Sequence, residues 1–267
     1  MTIWQLNRHR EIERLAEAVL RGLGCAQPPI EVTKIAELES IILVPVVHSE
    51  PLFGRIEYHG SVKRFLLFHH HTGGSIIGEW QVRFSISHEL AHYYIPEHRR
   101  TLMHGQAHSS QSGFICDLAL EREADIFAAT LLIPPATLST LLGRNELSLK
   151  KIEALARRCN TSDVAAAIRA ARASEETAIA VLSRGGQVLF AAASDEARAL
   201  GFGWVDQIPA TSATAKISKD SDERTTSSRE WFPSARYDLI GWEEVRRLGS
   251  SGLVLTLLVF DEMNEEE

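Results

Sequence analysis

Ile12, Leu15, Ala16, Val19, Leu20 and Leu23 recur every three or four residues, which predicts an amphipathic helix stopped by Gly22 and Gly24. Thr33 is placed to cap a short helix running through Leu38. Ile41 to Val47 is apolar and β-branched, the pattern of a buried strand, and Arg55 to Tyr58 and Arg64 to Phe68 are further strands. His69-His70-His71 precedes Thr72-Gly73-Gly74 and reads as a turn, in which three consecutive side chains cannot face one ion. A helix starts near Glu79 or Trp80. Another is marked by Leu120, Ala124, Phe127, Ala128 and Leu131. The polar stretch between them, Tyr93 to Asp117, reads as a lid or substrate-binding loop.

The second half has a different rhythm. Leu149, Ile152, Leu155 and Ala156 predict one helix. Asn160-Thr161-Ser162-Asp163 turns into another that carries Val164, Ala167, Ile168 and Ala171. Two short helices across a tight polar turn are helix-turn-helix-like. Thr177 to Ser183 and Val188 to Ala193 predict a hairpin through Arg184-Gly185-Gly186-Gln187, and Ser194-Asp195 caps a short helix. Lys216 to Arg229 reads as a long exposed loop, Trp242 to Leu248 as a helix, and Leu253 to Phe260 as a core strand. Trp204, Trp231 and Trp242 are expected in core packing, with lining of a small-molecule pocket as the sharper reading. The acidic tail from Asp261 to Glu267 reads as a solvated end.

The chemistry concentrates in His88-Glu89-Leu90-Ala91-His92. Histidines at i and i+4 project from one helical face, so both imidazoles can reach one Zn²⁺, with Mn²⁺ as the alternative. Glu89 lies beside that face, placed to activate a water instead of ligating. A third ligand is needed with a fourth position left open, and Glu121 on the downstream helix suits it. Asp125, one turn later, is placed to accept the free N–H of a ligand histidine. Glu123 points about 200° around the helix from Glu121 and reads as solvated or salt-bridged. Tyr94, His98, His104 and His108 are each able to donate to a developing oxyanion or touch substrate, and spacing selects none of them.

Two segments carry a resemblance to the ImmA/IrrE metallopeptidases. Arg83-Phe84-Ser85-Ile86-Ser87-His88-Glu89-Leu90-Ala91-His92 is similar to that family's histidine-bearing segment, and Glu121-Arg122-Glu123-Ala124-Asp125-Ile126-Phe127-Ala128, with Leu131-Leu132-Ile133-Pro134, to its acidic one. Pro28 to Leu38 resembles the entry helix and Phe53-Gly54-Arg55-Ile56 the glycine-containing strand. The resemblance is firm over residues 8 to 135. Ala91 stands where the family usually has Gly, which implies tighter packing and no loss of metal. The resemblance implies a helix-turn-helix transcriptional repressor as substrate, cleaved under a stress such as DNA damage. It also implies a GAF-like, sensor-like C-terminal domain with room for a small-molecule or signal ligand.

Composition adds constraints. No apolar run is long enough to cross a membrane, and the first residues lack a basic segment followed by an apolar core, so a cytoplasmic protein is expected. Cys25, Cys116 and Cys159 are scattered without CxxC spacing and read as reduced thiols. Residues 143–172 hold seven basic residues against three acidic ones in a chain of net charge −7, a modest excess for direct DNA binding. The expected fold is α+β: a mainly helical, zincin-like peptidase core with a small sheet (1–142), a helix-turn-helix-like region (143–174) and a GAF-like α+β domain (175–267). The expected function is metal-dependent endopeptidase. The alternatives are a non-hydrolytic regulator that binds repressor or DNA, and a peptidase-like component of a toxin–antitoxin pair.

Overall fold

The computed structural model describes residues 3–46, 52–70, 78–104, 108–111, 118–143 and 146–261. The chain is α+β and divides into two compact units, Met1–Pro135 with Arg158–Thr161, and Ala136–Arg157 with Ser162–Glu267. Cys116 and the tail beyond Asp261 lie outside the described residues.

The first unit opens with α1 (Ile3–Leu23), which buries Ile12, Ala16, Val19 and Leu20. Gly24 ends it at φ +66°, a conformation glycine adopts without a Cβ penalty, and lets Cys25 N reach Leu20 O at 3.0 Å. In α2 (Val32–Leu38) the helix starts after Glu31, so Thr33 lies inside it and no side chain caps it. The strands β1 (Ile42–Val46), β2 (Leu52–His59), β3 (Arg64–His70) and β4 (His108–Gln111) form a sheet in the order β1-β3-β2-β4. β1 runs parallel to β3, and β2 pairs antiparallel with both β3 and β4. β1 was expected to be buried. It is an edge strand whose residues are exposed or half-buried, because among the described residues it pairs on one side alone, with β3.

Two other expectations are corrected here. His69 and His70 continue β3 instead of forming a turn, since they pair with Pro45 and Val46 of β1. The polar stretch after Tyr93 is not one loop. It contains α4 (Pro96–Met103), with proline at its first position, and the edge strand β4. The main helices are α3 (Glu79–Tyr94) and α5 (Leu118–Leu132). They pack on each other, α3 covers β2 and β3, and α1 packs on α5. Nearly all of α3 from Val82 to Tyr93 is buried, Ala91 completely. A side chain that enters the site from this helix is therefore held on every flank.

The second unit contains α6 (Pro135–Leu142), most of α7 (Leu149–Cys159) and α8 (Asp163–Ala173). Ser162 Oγ caps α8 by accepting from Ala165 N at 3.1 Å. α8 packs on β5 (Thr177–Arg184) and β6 (Gln187–Ala193) through Ala166, Ala167, Ala170 and Ala171. Gly185 and Gly186 join these strands, both at positive φ, the tight-hairpin geometry the sequence calls for. α9 (Asp195–Ala199) is capped by Ser194, and α10 (Ala213–Lys216) by Ser212.

Next come β7 (Ser221–Ser227), α11 (Ser228–Trp231), β8 (Ile240–Leu248) and β9 (Leu253–Phe260). The sheet is antiparallel throughout, in the order β6-β5-β9-β8-β7. The expected loop from Lys216 to Arg229 is thus largely an edge strand, and its Ser/Thr-rich composition is that of a half-solvated one. The expected helix at Trp242 to Leu248 is a strand that turns Gly241, Glu243 and Val245 inward. Trp231 packs in the core with Phe202, Val205, Phe232 and Phe260, whereas Trp204 and Trp242 are about half exposed.

Candidate metal centre

α3 and α5 build the centre together. His88 and His92 sit one turn apart on the face of α3 that meets α5, and Glu121 enters from the first turn of α5. His88 Nε2 and His92 Nε2 are 3.3 Å apart. Glu121 Oε2 is 3.2 Å from the first, and Glu121 Oε1 is 3.8 Å from the second. One ligand atom from each residue lies within 4.8 Å of the others, the convergent grouping found among the described residues. Two imidazoles and a carboxylate are the donor set of a hydrolytic zinc site. The residues present therefore fit one divalent metal ion.

His88 Nδ1 lies 3.0 Å from Asp125 Oδ1. Burial disfavours charge on His88, but the carboxylates of Asp125 and Glu121 outweigh it and push the metal-free imidazole up to about 10. Glu89 is completely buried and close enough to His88 to favour its charged form. Its neighbour on the strand that α3 covers is Gly54 of β2. A Cβ there would lie 2.8 Å from Glu89 Cγ, 2.9 Å from Glu89 Oε1 and 2.6 Å from Ser85 Oγ. That close approach is the physical content of a glycine at this point of the strand.

The four oxyanion or substrate candidates occupy different places. Tyr94 stacks on Phe127 with centroids 5.8 Å apart, and burial and the Glu39 carboxylate raise its hydroxyl's pKa. It belongs to the packing of α3 on α5, away from the triad. His98 is buried, with Nδ1 3.1 Å from His92 Nδ1. His104 is exposed at the end of α4 and donates through Nδ1 to Arg100 O at 2.7 Å. His108 pairs in β4 with Ile56 of β2. Glu123, expected to be solvated or salt-bridged, is salt-bridged: it lies mostly buried under Arg8, 2.7 Å away. The connection of His92 to His98 and Glu123 was not read from the sequence. The available signal was a histidine six residues after His92, just past a proline that restarts the helix.

A buried pair of histidines one turn apart, a buried glutamate between them and a glutamate from α5 are the residues of a candidate metal site of the HExxH type. Residues 79–171, spanning α3 through most of α8, match the model of the peptidase M78 family, described as an IrrE N-terminal-like domain. No curated protein matches the sequence. Over 96% of this chain and 90% of the other, the structure is similar to a Mycobacterium tuberculosis transcriptional regulator, at 14% identity and a TM-score of 0.60, which is a likeness of fold. No single helix among the described residues is long and apolar enough to cross a membrane.

Proposed function

We propose that this chain is a metal-dependent endopeptidase that cuts a helix-turn-helix transcriptional repressor and so relieves repression under stress, DNA damage among the triggers. The observation that carries the reading is the convergence of His88, His92 and Glu121 beside a fully buried Glu89 that is not needed as a ligand. Zn²⁺ is the metal that best suits two imidazoles and a carboxylate, and Mn²⁺ is the second choice. When bound, the ion supplies Lewis acidity to the scissile carbonyl and the attacking water. Glu89 takes the water's proton and returns it to the leaving amine, and its burial between α3 and β2 fixes the carboxylate for both transfers. Asp125 holds His88 in the tautomer that offers Nε2 inward.

In this reading the peptidase part covers residues 1–142, a helix-turn-helix-like stretch 143–174, and a GAF-like sensor 175–267 that binds the signal. Direct DNA contact through the middle helices is disfavoured. Arg169 is buried, Lys151 donates to Leu142 O at 2.6 Å, and Arg157 pairs with Glu153 at 3.2 Å, which leaves a thin basic face.

The test compares new protein N-termini in cells of the native host that express wild type or Glu89→Gln, with and without DNA damage. The expected result is a repressor fragment that only wild type produces. If the two profiles are identical, with the repressor whole yet released from DNA in both, a non-hydrolytic binding regulator replaces the peptidase.

A further inference from the structure

His92 is backed by a chain of polar groups that the reading above does not use. Its Nε2 faces His88 and Glu121, so Nδ1 is the nitrogen turned away from the ligand cluster. That Nδ1 lies 3.1 Å from Nδ1 of His98, and the two rings are 5.0 Å apart at 32°. His98 Nε2 is 3.4 Å from Glu123 Oε2. Glu123 in turn receives Arg8 in bidentate fashion, Nε to Oε1 at 2.9 Å and Nη2 to Oε2 at 2.7 Å. His98 is 2% exposed. The chain thus links α3, α4, α5 and α1 in one line, buried at His92 and His98 and half-buried at Glu123 and Arg8.

The proton directions along this line are determined once His92 ligates. A neutral imidazole that presents Nε2 to a cation carries its proton on Nδ1 and must donate it. At 3.1 Å from another ring nitrogen, that donation requires His98 Nδ1 to accept. The His98 proton is then on Nε2, which points at Glu123. Arg8 offers two donors to the same carboxylate and orients it. The roles are compatible: His98 Nδ1 faces His92, and Nε2 stands at ion-pair distance, 3.4 Å, from Glu123.

We propose that His98, backed by Glu123 and Arg8, is the positioning group for His92, fixing its tautomer and ring plane as Asp125 does directly for His88. The proposal rests on the triad holding a metal ion. Outer partners of ligand histidines contribute about 10–100-fold to metal affinity, and His98 is shielded from the water that could replace it.

The test uses the full chain, with zinc affinity measured by competition with a chromophoric chelator and the Co²⁺ absorption spectrum recorded in parallel. His98→Phe keeps a buried ring and removes both nitrogens. Zinc should bind about 10–100-fold more weakly, with shifted Co²⁺ bands. His98→Asn, whose amide oxygen can stand near the Nδ1 position, should recover part of the loss. Glu123→Gln preserves shape, covers the case in which the His98 variants misfold, and should weaken binding by several-fold. Glu11→Gln, which touches only the outer side of Arg8 at 3.0 Å, should bind as wild type does. His88→Ala separates this proposal from the reading beneath it. If His88→Ala abolishes tight binding while His98→Phe and Glu123→Gln match wild type in affinity and spectrum, the positioning role falls and the triad stands. If wild type binds no better than His88→Ala, both fall.

Discussion

Gly54→Ala separates the proposed role of Glu89 from that of the proposed metal ligands. The new methyl would stand 2.8 Å from Glu89 Cγ and 2.9 Å from Glu89 Oε1, whereas unstrained carbon pairs sit at about 3.5–4.0 Å. Ser85 Oγ, at 2.6 Å, crowds the same point from α3. β2 cannot yield easily, because it is paired on both sides, with β3 and β4. The side chain of Glu89 must therefore retreat by roughly 0.7 Å. A displacement of about 1 Å of a proton-transfer group costs on the order of 10²-fold in rate, equivalent to about 2.7 kcal/mol of transition-state stabilisation. The atoms nearest the new methyl belong to Ser85 and Glu89, so zinc affinity should stay within about threefold of wild type. The assay is the rate at which the repressor fragment accumulates in host cells, with the zinc content of the purified variant measured alongside. Cleavage at the wild-type rate by a folded, zinc-loaded Gly54→Ala protein would refute the steric argument and with it the placement of Glu89 as the proton carrier.

Three further outcomes follow from the same geometry. Asp125→Ala should weaken zinc binding by about 10-fold, the lower end of the range for such partners, because the Asp125 side chain is 58% exposed and water can partly replace it; chelator competition checks this, and unchanged affinity removes Asp125 from the site. In the metal-free protein His88 is held up to about 10, above its unfolded value, so the stability it contributes is fully present below about pH 6.5 and fades as pH rises toward 10. Zinc must displace that proton, so calorimetric titration at pH 7.5 in buffers of different ionisation enthalpy should report release of about one proton or more, and none would contradict the assignment. Glu243→Leu strands Ala213 N, Thr214 N, the Thr214 hydroxyl and Arg224, which all donate to this buried carboxylate; tryptophan-monitored urea unfolding should show a loss of about 3–5 kcal/mol, partly restored by adding Arg224→Leu.

Glu243 also explains the least legible part of the sequence. The inward positions of β8 are Gly241, Glu243 and Val245, so only one of the three announces burial. Trp242, Val245 and Leu248 meanwhile fall at a spacing of three and imitate a helix. The inward glutamate is tolerated because β7 brings Arg224 opposite it and α10 presents two backbone N–H groups, and such partners are remote in sequence. Gly241 is equally determined from outside, since a Cβ there would strike the backbone of Val259 and Phe260 in β9. By contrast, the β5–β6 hairpin and the capped helices α8 and α9 were legible, because glycines at positive φ and Ser194 and Ser162 act within a few residues of themselves.

The same distinction runs through the metal centre. Two ligands on one helix are related by the helix repeat itself, so His88 and His92 can be placed on a common face before any tertiary contact is known. Glu121 and Asp125 repeat that spacing on a second helix, and the two faces need only meet. Nothing comparable relates His92 to His98, which is reached by ending α3 at Tyr94 and restarting at Pro96, or Glu123 to Arg8, 115 residues earlier. Glu123 lies on the opposite side of its helix from Glu121, and on an isolated helix that side would face water. α1 and α4 convert it into an interior. A residue's role behind a ligand is thus decided by which helices cover it, and helical spacing alone carries no record of that. The residues that present atoms to the ion follow a local rule, while those that aim them depend on the assembled fold, so loss of Arg8 should register at the zinc site although no segment near it in the chain contains a ligand.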